Sequence, residues 1–152
     1  MTVIGLSLFA DSSCMAKIDA RTKQLFADHG NQSRIFALAT SSKGGIPNVV
    51  PIGFLFVAND DEIWVIDNYL NKTLKNILDN PVVSVYAMGG EGGHECVQVK
   101  GKAVYETSGP DYEAAKKMAK DKNEKYPAKG LVKISPCAVY DTTPGPNAGK
   151  KL

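Results

Sequence analysis

The sequence predicts a mainly β domain of the α+β class, a six-stranded antiparallel barrel with helices lying outside it. Six apolar or alternating runs of strand length are separated by Gly, Pro, Asn and Asp turn signals. The strand order reads as hairpin-like throughout, with only one short helical stretch interrupting it, which favours an antiparallel barrel over a parallel βαβ sheet. The chain has 152 residues, 43% hydrophobic and 22% charged, enough for one domain with a core of its own.

Residues 1–15 read as an N-terminal arm. The apolar VIGLSLFA at 3–10 has no basic residue before it and is far too short to span a bilayer. Met15-Ala16-Lys17 would also serve as a start. The domain proper is expected over 16–142, with 143–152 as a Pro/Gly tail.

AKIDARTKQLFADHG (16–30) reads as a helix with Ile18, Leu25 and Phe26 on one side and Gly30 as its stop. RIFALAT (34–40) is a buried strand, and 41–47 its turn. NVVPIGFLFVA (48–58) is a second strand. Pro51 cannot donate to a ladder, so it marks an edge or a bulge, and Gly53 marks a close approach of backbone to something else. EIWVID (62–67) follows, with Trp64 expected in the core. Residues 71–79 form a short helix with Asn71 as N-cap, an apolar stripe of Leu74, Ile77 and Leu78, and Asn80-Pro81 as its end. VVSVYAM (82–88) and ECVQVKGKAVYET (95–107) are strands joined by the flexible GGEGG (89–93). In the second of them Val97, Val99, Ala103 and Tyr105 face one way, and Gln98, Lys100 and Lys102 the other. Ser108 to Asp111 has capping-box spacing with Pro110 near the first helical position, opening a helix to about Tyr126. GLVKISPCAVYDT (130–142) is the last strand.

Charge and ligand-forming residues narrow the chemistry. With 18 basic and 16 acidic residues the net charge of +2 is too balanced to indicate nucleic acid, and the lysines from 116 to 129 alternate with acids as a solvated helix face. Cys14, Cys96 and Cys137 are an odd number without a C-x-x-C, which argues against a secreted disulfide framework and for a reducing cytoplasm. His29 and His94 are the only histidines, and neither adjoins a serine elbow. His94-Glu95-Cys96 gathers three ligand types, but successive strand residues face opposite ways, so no metal site is expected. No residue stands out as a catalytic acid or base.

The stretch DNYLNKTLKNILDNP (67–81) carries the most chemical information. Lys72 and Lys75 sit in the first turn of the helix, where the dipole is positive and carboxylates are preferred. An anion held between the free N–H groups and Lys72 is one answer; two surface lysines at a small electrostatic cost, ~0.3–1 kcal/mol, are the other.

The order of pieces from 34 to 107 resembles the FMN-binding split-barrel proteins related to pyridoxamine 5′-phosphate oxidase. FALATSSKGGIPNVVPIGF looks like that family's opening hairpin. IWVIDNYLNKTLKNILDNPVVSV is similar to its strand, phosphate-binding turn and helix, and VQVKGKAVY to its Gly-Lys-Ala strand. The resemblance implies a Greek-key-like split barrel and an FMN at a homodimer interface. It implies that Lys72 and Thr73 bind the phosphate with Asn71 beside them. Val50, Pro51, Ile52 and Gly53 would lie along the isoalloxazine, and Ile66 and Asp67 match another contact position. Where the oxidase itself has an Arg and a Lys this chain has Val50 and Leu55, and its tail TTPGPNAGKKL holds neither Arg nor His. Cys96 falls where the oxidase subgroup tends to have a glutamine. The function implied is an FMN flavoprotein, an oxidoreductase or electron-transfer protein whose redox partner is not specified. Other uses of such a barrel are deazaflavin F420 or haem binding, with His94 the candidate haem ligand, or oxidase-like chemistry. The tail is expected to cover the flavin of the partner subunit.

Overall fold

The computed structural model describes residues 14–27 and 35–152. The N-terminal arm up to residue 13, and His29 and Gly30, therefore lie outside the described residues. The elements are α1 (Ala20–Ala27), β1 (Ile35–Ser41), β2 (Pro47–Pro51), β3 (Leu55–Asn59), β4 (Glu62–Asp67), α2 (Lys72–Asp79), β5 (Val82–Gly89), β6 (Glu95–Glu106), α3 (Pro110–Lys122), β7 (Gly130–Asp141) and β8 (Lys150–Lys151). Every pairing is antiparallel, in the order β2-β1-β5-β6-β7-β4-β3, with β8 added on β7.

The two ends of that order, β2 and β3, are consecutive in the chain. Residues 52–54 join them, and this corner is held on both sides: Ile52 N–H donates to Phe36 O at 3.1 Å, and Ile66 N–H donates to Phe54 O at 3.1 Å. The sheet is thus closed by one crossing corner while β2 and β3 have no pairing with each other, which makes it a split barrel. Among the described residues there are eight strands, not six. The expected strand 48–58 is two, because Pro51 ends the ladder on the edge strand β2 and the chain bends at Gly53 and Phe54. The tail supplies the other addition. It folds back on its own β7, with Lys150 opposite Asp141 and Leu152 N–H donating to Val139 O at 2.8 Å.

The barrel interior is apolar. Leu38, Leu55, Ile63, Val65, Val85, Val97, Val99, Val132 and Ile134 are fully buried there, each worth roughly 1.5–3 kcal/mol of burial. α1 plugs the barrel with Leu25 and Phe26, and Phe26 stacks on Phe36 with centroids 5.6 Å apart. It begins at Ala20 because Asp19 caps it, accepting from the Thr22 N–H at 2.9 Å and the Thr22 hydroxyl at 2.7 Å. Arg21 then ties it to the barrel through Asp141 (3.2 Å), Thr143 (3.2 Å) and Glu95 (3.4 Å). The odd number of cysteines argues against a secreted disulfide framework, yet Cys14 and Cys137 form one disulfide, leaving Cys96 free.

α3 lies on the outside of the sheet, with Tyr112, Ala115 and Ala119 packed on Ile66 and Leu131. Trp64 belongs to this outer layer, half-buried, its Nε1–H donating to Glu62 at 2.9 Å. The capping box is not formed: Gly109 is the N-cap residue, and Asp111 pairs with Lys133 at 2.7 Å instead. α3 stops at Lys122, short of Tyr126, because Asn123 is extended. No helix of the described residues is long and apolar enough to cross a membrane.

Candidate functional site

One cleft of about 370 Å³ opens where β2 turns into β3, beside the end of β4 and the start of α2. That size lies in the range of roughly 300–1,000 Å³ usual for small-molecule sites. It is lined by Val50, Pro51, Ile52, Gly53, Phe54, Ile66, residues 68–73 and Tyr126. Eight of the nine residues that the sequence singled out are thereby brought together: Val50, Pro51, Ile52, Gly53, Ile66, Asn71, Lys72 and Thr73. The exception is Asp67. Adjacent strand residues point to opposite faces. Ile66 faces the cleft side and α3, so Asp67 turns into the end of the barrel, where it is wholly buried.

The cleft has a polar and an apolar end. At the polar end α2 starts with its axis open: Asn71 occupies the N-cap position but makes no side-chain capping bond. The first-turn N–H groups of α2 are therefore left for another acceptor. Lys72 is exposed and has no carboxylate partner among the described residues. Thr73 is buried, and its hydroxyl oxygen accepts from Asn48 Nδ2 at 3.0 Å, which leaves its proton to donate. Asn48 also donates to the Thr40 hydroxyl at 3.2 Å, and Asn76 donates to the same oxygen at 3.0 Å. This fixes α2 against β1 and β2. The apolar stripe of α2 is narrower than expected, because Ile77 is buried but Leu78 is 65% exposed.

At the other end Val50, Ile52, Phe54 and Ile66 give an apolar wall, with Tyr69 and Tyr126 at the sides. Gly53 breaks it. Its φ lies outside the left-handed region, so its role is not conformational; no atom stands within 4 Å of where a Cβ would be. Pro51 has no N–H, and the Gly53 N–H has no backbone acceptor among the described residues. The corner therefore presents backbone polar groups beside open space. Phe54, Asn68, Tyr69, Leu70 and Tyr126 were not singled out from sequence. Tyr126 stands 53 positions beyond Thr73, after α3, and nothing in the local pattern ties it to this cleft.

A planar molecule with an anionic tail fits this donor set: cation, helix N–H groups and hydroxyl at one end, apolar wall and backbone edge at the other. Residues 22–143 match the model of the pyridoxamine 5′-phosphate oxidase family.

The chain belongs to that family.

It is 34% identical over 123 residues to an uncharacterized protein of Methanocaldococcus jannaschii, covering 80% of this chain and 81% of that one. Among solved structures it is similar to HupZ of Group A Streptococcus, with a TM-score of 0.72 and 25% identity over 87% of this chain and 99% of that one. An FMN-binding protein from Syntrophomonas wolfei shares the fold, with a TM-score of 0.66 and 15% identity over 78% and 82% of the two chains. An F420 reductase and HutZ, the haem storage protein from Vibrio cholerae, also share it, each at 16% identity.

Proposed function

We propose that this family member is an FMN flavoprotein, an oxidoreductase or electron-transfer protein that carries the flavin in this cleft at a homodimer interface. The observation that carries the reading is the polarity of the cleft. A dianionic phosphate requires a cation and N–H donors, and Lys72, Thr73 and the start of α2 offer them together. The isoalloxazine would lie on the wall of Val50, Ile52 and Gly53, with backbone groups meeting its polar edge. Bound there, FMN supplies hydride or single-electron chemistry, and the chain supplies binding and orientation.

The resemblance to the oxidase does not extend to its substrate contacts. Leu55, which stands where the oxidase has a Lys, is fully buried in the barrel. His94, the candidate haem ligand, is exposed in the β5–β6 turn and does not line the cleft. Dimerisation is supported by exposed apolar residues around the cleft and the adjoining edge strand: Ile46, Val49, Tyr69 and Met118. The tail pairs with its own β7. A cytoplasmic location accompanies this reading, and there the Cys14–Cys137 pair would be held reduced.

The test is the visible absorption spectrum of the purified protein and the identity of the chromophore it releases. Oxidised-flavin bands and released FMN are expected. A deazaflavin or a haem Soret band would assign the cleft otherwise, and failure to take up added FMN would remove the reading.

A further inference from the structure

We infer that Asp67 and Tyr105 are positioning residues for the anion end of the cleft, acting through the 68–71 loop without touching the ligand. This rests on the FMN reading above and deepens it. Asp67 is 0% exposed, yet its carboxylate is fully engaged. Oδ2 accepts from the Tyr105 hydroxyl at 2.7 Å, and Oδ1 accepts from the Leu70 N–H at 2.9 Å. The Lys129 ammonium stands 3.6 Å from Oδ1 and donates to Leu70 O at 3.2 Å. One carboxylate thus sets both backbone groups of Leu70, directly and through Lys129.

The far side of the loop is strapped as well. Asn68 accepts from the Ala128 N–H at 3.0 Å, and the Asp67 carbonyl accepts from the Lys129 N–H at 2.8 Å. Ala128 holds φ +44, in the left-handed region, and its carbonyl accepts from the Tyr112 hydroxyl at 2.9 Å. The 128–130 segment presses on Tyr105: a Cβ on Gly130 would stand 2.2 Å from the Tyr105 hydroxyl. Only glycine leaves Tyr105 room to reach Asp67. All of these bonds converge on the residues that precede Asn71, Lys72 and Thr73. Asp67 is wholly buried while the Lys129 side chain is 47% exposed, so the pair contributes little net stability, but it fixes geometry, and the geometry fixed here is that of the phosphate end.

A purely structural role would weaken all flavin binding alike; a positioning role falls on the phosphate. The experiment titrates FMN and riboflavin into the wild type, Tyr105→Phe and Asp67→Asn. It also follows amide hydrogen exchange of the ligand-free proteins. The phenylalanine variant keeps the ring and is the one expected to fold without change. FMN affinity should fall about tenfold with riboflavin affinity nearly unchanged, and exchange over residues 68–73 should rise while the barrel strands stay protected. Equal losses for the two flavins, or unchanged exchange over 68–73, would overturn the inference. Faster exchange at 68–73 in a protein whose wild type takes up neither flavin would leave the positioning role standing and remove the FMN reading instead.

Discussion

Gly53 is the residue at which the cleft is most exposed to a decisive substitution. Its backbone tolerates a side chain and nothing stands within 4 Å of the added Cβ. Gly53→Val should therefore fold with a melting temperature close to the wild type's, yet bind FMN about tenfold or more weakly, since overpacking a filled site costs about 1–3 kcal/mol. Thermal melts and a fluorescence-quenching titration check both halves. Tyr105 gives the pH prediction. Its hydroxyl is held above the ordinary tyrosine value of 10.0, by burial first and then by donation to Asp67. A folded-state pKa that is raised stabilises fully below the unfolded value and less as pH climbs through the folded one. Denaturant midpoints should drop above pH 10, and more shallowly in Tyr105→Phe; identical alkaline slopes would contradict this. Asp67 marks how far single residues were legible. The motif pointed to it as a contact, but the alternation of β4 sends it behind the loop, and sequence alone did not tell a lining side chain from one that holds the lining in place.

At the scale of elements, α2 was the most legible, because a basic first turn is a local anomaly that any reader of the chain can see. Lys72→Ala removes the free ammonium while leaving Thr73 and Ile77 to pack as before. FMN should be retained about tenfold less tightly, the equivalent of about 1.4 kcal/mol, with riboflavin hardly affected; equilibrium dialysis of the two ligands reads the difference. α1 and the tail were less legible. Cys14 and Cys137 are separated by 123 positions, and no local pattern announces a pairing at that distance. β8 is two residues long and gains its ladder only from β7. Since Leu25, Phe26 and the Arg21 clamp also hold α1 in place, reducing the disulfide should lower stability by about 2–4 kcal/mol without unfolding the cleft. Melts with and without reductant, followed by FMN titration of the reduced protein, test that.

For the whole molecule, antiparallel order and helices outside the sheet were readable from hairpin spacing and alternation, which is clean along β5 and over most of β6. The corner at residues 52–54 was not, since a run that is apolar from 49 to 58 looks like one strand until tertiary pairing divides it between β1 and β4. That same corner creates the cleft, and it leaves β2 as an unpaired edge with Val49 67% exposed. Light scattering on a sizing column should give the mass of two chains, and a monomer would leave these apolar residues without a cover. The central claim is that this corner and α2 together hold FMN. A crystal structure of the protein grown with FMN tests it most directly. The flavin phosphate should lie within hydrogen-bonding distance of Lys72 Nζ, the Thr73 hydroxyl and the first N–H groups of α2, with the ring along residues 50–53. FMN bound elsewhere, or reversed with its phosphate away from α2, would contradict the account.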